Sequence, residues 1–134
     1  MKKPIIFDAF PLLCWFQEEP GHTIVGNLLN EAEENQIEIF MHIINLGEVY
    51  YHTFRVTSQK EAEEILKKVR LLPIKIISAS DTTVLEAAKI KGQYPISYAD
   101  AFAVAAAIQK KAIIVTSDPE YKKVEKLIKI LWLN

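Results

Sequence analysis

The sequence predicts an α/β fold: a mostly parallel sheet with helices packed on both faces. Three observations lead there. Short apolar runs alternate along the chain with longer segments of helical periodicity, the pattern of repeated strand–helix–strand units. The first run, Lys3 to Phe7, is almost wholly apolar beyond its lysine, as in a strand buried on both sides. The 134 residues contain no internal repeat and no low-complexity linker, so a single domain over 1–134 is expected.

Taken in order, Lys3 to Phe7 is the first strand. Asp8 to Gln17 is a helix with Phe10, Leu13, Cys14 and Phe16 at helical spacing, and Pro11 falls in its first turn, where a missing N–H costs least. Pro20-Gly21 breaks the chain. His22 to Asn35 carries Ile24, Val25, Leu28, Leu29 and Ala32 on one face, with Glu31, Glu33 and Glu34 opposite. Ile37 to His42 is the second strand, and Asn45 to Arg55 the helix after it. Thr57 to Leu72 sets a stripe of Ala62, Ile65, Leu66 and Val69 among lysines and glutamates. Pro73 leads a third strand through Ile77. Helices follow over Asp81 to Gln93 and Ser97 to Lys111, then a strand from Ala112 to Thr116. A short helix at Glu120 to Leu127 and a strand at Lys129 to Leu133 end the pattern.

Half of the residues are hydrophobic and a quarter charged, the composition of a globular protein rather than a disordered one. Cys14 is the single cysteine. An internal disulfide is therefore impossible, and a cytoplasmic location is the simpler expectation. No apolar stretch reaches the ~18 residues that a membrane helix needs, and Asp8 and Pro11 interrupt the N-terminal apolar run too early for a signal peptide. The formal net charge of −1 argues against tight passive nucleic-acid binding, which needs a basic surplus. It leaves room for an enzyme that holds a nucleic acid briefly.

The acidic residues are unevenly placed. Of 17 acids only four are aspartates, and most glutamates fall on the solvent faces of helices. Asp8 ends the first strand, Asp118 follows the fourth, and Asp100 opens the helix before the fourth. Glu48 lies in the opening turn of the helix after the second strand. Ligands of open parallel sheets sit beyond the carboxyl ends of the strands. There these four acids would converge, which is unfavourable unless a cation neutralises them or some are protonated. An all-oxygen donor set suits Mg²⁺ or Mn²⁺ rather than Zn²⁺. Each acid also has a plainer role open to it. Asp8 fits a helix N-cap, Ser97 to Asp100 and Asn45 to Glu48 each fit a capping box, and Asp118-Pro119 fits a cap followed by proline.

The stretches around the acids carry a family resemblance. Ile5-Ile6-Phe7-Asp8-Ala9-Phe10-Pro11-Leu12-Leu13 resembles the opening of PIN domains, where a strand delivers the first catalytic aspartate. Ile44 to Tyr51, Ile96 to Ala103 and Thr116 to Tyr121 resemble the second, third and fourth acidic motifs, and Lys129 to Leu133 the closing strand. The likeness runs from end to end. Within the PIN domains it is greatest to the VapC-type toxins of toxin–antitoxin pairs. It implies an α/β/α sandwich, a Mg²⁺- or Mn²⁺-dependent endoribonuclease, a homodimer, and an antitoxin partner that blocks the active site. On this resemblance Asp8, Glu48, Asp100 and Asp118 are catalytic. Asp8 and Asp100 are then the firmest metal ligands, Asp118 a direct or water-mediated one, and Glu48 the group that holds or deprotonates the attacking water. Thr116 and Ser117 are auxiliary polar groups. Phe10 departs from the pattern, being bulkier than the small or polar residue expected beside the first acid.

The remaining features carry less. Lys122, Lys123, Lys126 and Lys129 follow Asp118 closely and either steer a phosphate backbone or are plain solvated charge. Glu120 could reach a second metal but is read first as a solvated first-turn acid, and Asp81 is read as a helix-start residue. His22, His42 and His52 lack metal-ligand spacing and are read as structural or surface groups. Trp15 and Phe16 are read as core. Tyr50, Tyr51 and Phe54 widen the apolar face of their helix, which predicts a subunit contact. Of other classes, a haloacid-dehalogenase-type phosphatase needs an aspartate where Phe10 stands. Nucleases acting on structured DNA usually carry extra helical insertions. A receiver domain needs a phosphoacceptor aspartate on a middle strand. The remaining alternative is a catalytically inert PIN-fold module for protein or RNA binding, which would have no need of all four acids.

Overall fold

A computed structural model describes residues 2–134. The elements run β1 (Lys3–Phe7), α1 (Ala9–Phe16), α2 (His22–Glu33), β2 (Ile37–His42), α3 (Ile43–Val56), α4 (Gln59–Arg70), β3 (Ile74–Ile77), α5 (Asp81–Gln93), α6 (Tyr98–Lys110), β4 (Ile113–Thr116), the 3-10 segment Pro119–Val124, and β5 (Lys129–Trp132). The five strands form one sheet in the order β3-β2-β1-β4-β5, and every pairing is parallel. All strands therefore end at the same edge. The order reverses at β1, from which the chain runs outward first to one side and later to the other. The crevice between the carboxyl ends of β1 and β4 is the position where such sheets bind ligands.

Two cores explain the layering. Ile5, Phe7, Ile39, Met41 and Val115 point to one face and pack with Leu12, Val25, Leu29, Val49, Ile65 and Val69 of α1–α4. Ile6 and Ile114 point to the other, against α5, α6 and the 3-10 segment. This alternation is the period-two pleat of a strand. Central strands with both faces covered are apolar throughout, which is why β1 and β4 show no polar alternation. Residues 101–107 of α6 are buried on all sides, as expected for a helix that is apolar all round. Gly21, at the start of α2, has φ of 100°, and a Cβ there would lie 2.8 Å from the Leu133 carbonyl oxygen. Only glycine relieves both demands at once.

The main correction concerns α3. It starts at Ile43, two residues earlier than expected, and the capping box proposed at Asn45 to Glu48 does not form. His42 is the cap: its Nδ1 accepts from Ile44 N at 3.1 Å. Glu48 consequently lies in the second turn of α3. The helix expected at Glu120 to Leu127 is a 3-10 segment beginning at Pro119. Among the described residues no helix is long and apolar enough to cross a membrane.

Candidate metal centre

Each acid reaches the site through its own element. Asp8 directly follows β1, and Phe7 pairs with Val115, so Asp8 comes beside Thr116 at the end of β4. The Thr116 hydroxyl donates to Asp8 Oδ2 at 2.8 Å and accepts from Asp118 N at 3.1 Å. One buried hydroxyl thus ties the first acid to the last. Asp8 also caps α1, with Phe10 N donating to its Oδ1 at 3.0 Å. Capping occupies one oxygen of Asp8 without exhausting the carboxylate. Asp118 likewise caps the 3-10 segment through Glu120 N at 2.9 Å.

Asp100 is not spent on capping its helix. Ser97 caps α6 by accepting from Asp100 N at 3.1 Å. The returning half of the box is supplied from another segment, because Ser97 N donates to Glu120 Oε1. This frees the Asp100 carboxylate, whose Oδ1 accepts from the Tyr121 hydroxyl at 3.0 Å. Asp100, Asp118 and Glu120 are the acids that come closest: each offers an oxygen within 4.8 Å of the others. Glu120, read from the sequence as a solvated acid, belongs to this trio, and Asp8 lies deeper, outside it.

Glu48 enters from the β2 side. Asn45 Nδ2 donates to Glu48 Oε1 at 3.0 Å and to the Ala99 carbonyl at 3.1 Å, joining α3 to the start of α6. Both acceptors fix the orientation of that amide. Asn45 Oδ1 is the buried side-chain atom without a hydrogen-bond partner among the described residues. The Asn45 amide was read as a cap, and its role as the strut for Glu48 was missed.

The electrostatics record the crowding. Burial is the largest influence on Asp8 and raises its carboxyl from 3.8 to about 7; hydrogen bonds from Thr116 and Phe10 oppose this, and the Asp100 charge adds to it. Asp100 is raised to about 6, first by burial and then by the Asp118 charge, with Glu120 and Glu48 contributing. Glu48 is raised by burial, opposed by Asn45 and reinforced by Asp118. The Tyr121 hydroxyl, fully buried between Asp8 and Asp100, is pushed upward by burial and by both charges, so it is a donor at every physiological pH. Tyr121 went unnoticed in the sequence.

The donor set fits a hard divalent cation. It is all oxygen and contains no histidine or cysteine. The raised carboxyls are those a nearby positive charge would return to the ionised state. The other expected residues divide. Thr116 lies inside the cluster, and Ser117 lines a small cavity beside it. Phe10 packs half-buried against the first core, as do Trp15 and Phe16. His42 is structural, buried, and hydrogen-bonded through Nε2 to the Thr83 hydroxyl at 3.1 Å.

The fold that gathers these carboxylates is shared with known proteins. The PIN domain family model matches residues 5–127, and the chain belongs to that family. Solved structures agree with the fold. The chain is similar to the crystal structure of DNA-bound VapBC from Salmonella typhimurium at 13% identity, with 100% of both chains covered and a TM-score of 0.76. It is similar to VapBC2 from Rickettsia felis, bound to a DNA fragment from their promoter, at 16% identity, 96% and 97% coverage, and 0.73. A third likeness is to VapC20 of Mycobacterium tuberculosis, described as a sarcin-ricin loop cleaving toxin, at 13% identity, 82% and 86% coverage, and 0.65. No curated protein matches the chain.

Proposed function

We propose that the protein is a Mg²⁺- or Mn²⁺-dependent endoribonuclease, the toxin of a type II toxin–antitoxin pair acting in the cytoplasm. The observation that carries the reading is the convergence of Asp8, Glu48, Asp100, Asp118 and Glu120 at one sheet edge, with two carboxyls displaced to about 6 and about 7. Asp100, Asp118 and Glu120 would hold the cation, and Asp8 would complete the negative charge around it. A bound cation in such a site makes water a better nucleophile and stabilises charge developing on the phosphate.

The chain's own residues supply the rest. Glu48, steered by Asn45 and standing apart from the trio, orients the attacking water and takes its proton. Its raised carboxyl makes it a better base than an ordinary glutamate. Thr116 and Tyr121 aim Asp8 and Asp100 so that little reorganisation is needed when the cation arrives. Attack by water leaves a 5′-phosphate and a 3′-hydroxyl.

Partners follow from the likenesses. The Salmonella and Rickettsia structures are of VapBC, and the chain is also similar to a toxin–antitoxin complex from Klebsiella pneumoniae, which supports a cognate antitoxin here. Exposed Tyr51, Phe54 and Val56 on α3 supply an apolar surface for a homodimer. Cleavage of a labelled RNA pool with Mg²⁺, Mn²⁺ or EDTA, by wild type and Asp8→Asn, tests the activity. Metal-dependent cutting lost in Asp8→Asn is expected. Equal cutting by both proteins would mean a contaminant, and 2′,3′-cyclic phosphate ends would exclude the water mechanism.

A further inference from the structure

Beside the acid cluster is a second feature that the acids do not explain. Ser117, Pro119, Lys122, Trp132 and Asn134 line a cavity of about 330 Å³, at the small end of the range for ligand pockets. Its position is set by the sheet. Trp132 pairs with Thr116, and Leu133 N donates to the Thr116 carbonyl at 2.9 Å. Trp132 therefore stands at the carboxyl end of β5, one strand over from the residue that links Asp8 to Asp118. Part of its ring packs against the second core. The Lys122 ammonium lies 6.0 Å from the ring centroid, a cation at the limit of attraction to an indole face.

We propose that this cavity is a nucleobase subsite: a base of single-stranded RNA next to the cleaved phosphate stacks on Trp132, and Lys122 moves from the ring to a neighbouring phosphate. The inference rests on the ribonuclease reading and adds to it the part of the substrate that the chain grips. Several features favour a base over another occupant. An indole offers the flat apolar face on which any base stacks. Ser117 offers a hydroxyl at the rim for a base edge. Lys122, exposed and in the lining, is the cation that a phosphate beside the stacked base would meet. Asp118 lies between Ser117 and Pro119 in the chain, which sets the cavity next to the metal centre. A protein side chain would find the same ring but would gain nothing from the adjoining acids.

The test is binding of fluorescein-labelled hexaribonucleotides to the full chain in EDTA, where turnover is off, with tryptophan emission read alongside. Base stacking on an aromatic predicts that Trp132→Leu weakens binding roughly five- to hundredfold. Trp132→Phe should restore most of the affinity, and wild-type emission should be quenched on binding, a signal that Trp132→Phe lacks. Lys122→Ala, an exposed change that leaves the core untouched, should weaken binding and flatten its salt dependence. If Trp132→Leu fails to fold, the quench and Lys122→Ala decide. Binding that is unchanged in Trp132→Leu, or that leaves wild-type emission unquenched, overturns the subsite and leaves the cavity to a protein partner. Those results are separable from failure of the enzyme reading, in which wild type neither cuts RNA with Mg²⁺ or Mn²⁺ nor binds the hexamers.

Discussion

Replacing Asp8 with asparagine should stabilise the metal-free protein, and by an amount that depends on pH. Asp8 is buried at 4% exposure, and its carboxyl is displaced from 3.8 to about 7, chiefly by burial. A raised carboxyl keeps its proton in the folded chain after the unfolded chain has lost it. Stability therefore falls as pH rises through the window from about 4 to about 7 and is level above it. Each tenfold change in proton affinity corresponds to ~1.4 kcal/mol. Between pH 5 and pH 8 the wild type should lose about 3 kcal/mol through this one group. Asparagine is nearly isosteric and has no charge to desolvate. Its oxygen can still accept from Phe10 N, and its amide can donate to the Thr116 hydroxyl, which turns its own proton elsewhere. Urea unfolding in EDTA at pH 5 and pH 8 measures the difference. The stability of Asp8→Asn relative to wild type should improve by about 3 kcal/mol between the two pH values. Saturating Mg²⁺ should stabilise wild type at pH 8 more than the variant, which lacks one of the negative charges around the cation. A relative stability that does not change with pH would refute the argument, since burial of the carboxylate would then carry no cost.

Other perturbations follow from the same geometry. Tyr121→Phe removes the hydroxyl that donates to Asp100; the fold should survive, and the acid limb of the pH–rate profile should move to higher pH as Asp100 loses a donor that favours its anion. His42 is lowered by burial, so its contribution is complete above about pH 6.5 and is lost as pH falls below the unfolded value; His42→Leu should cost about 1–3 kcal/mol by urea unfolding at pH 7.5 through the lost cap and hydrogen bond. Gly92→Ala, in a helix with open space around it, should add about 0.5–1 kcal/mol. Gly26→Ala should instead cost about 1–3 kcal/mol, because its Cβ would fall 2.8 Å from the Trp15 ring. Tyr51→Ser combined with Phe54→Ser should turn a dimer into a monomer in sedimentation at micromolar concentration, with no change of fold by circular dichroism.

The strands were legible because β-rich apolar runs bounded by polar turns carry a strong local signal. The start of α3 was not, because a histidine rarely caps a helix, and Asn45 three residues later offered a more familiar box. The last helical segment was misread for a periodicity reason. Tyr121 and Val124 are both fully buried, a spacing of three that suits a 3-10 turn and only approximates an α-helix. The four acids at motif positions were legible, and the structure brings them to one edge. Glu120 was set aside because a first-turn acid is usually solvated. Its contact with Ser97 N spans 23 residues, and no local pattern announces such a contact. Tyr121 shares that difficulty, since a lone aromatic in a charged segment reads as an anchor to the core until its hydroxyl is found between two aspartates.

The most direct test of the central claim is calorimetric titration of Mn²⁺ into metal-free protein near pH 6.5, repeated in buffers of different ionisation enthalpy. A cation bound by these acids must displace the protons that Asp8 and Asp100 retain at that pH. Binding with net proton release is expected, with less release in Asp8→Asn and much weaker binding in Asp100→Asn. Absence of Mn²⁺ binding, or binding of equal strength and proton release in all three proteins, would contradict it.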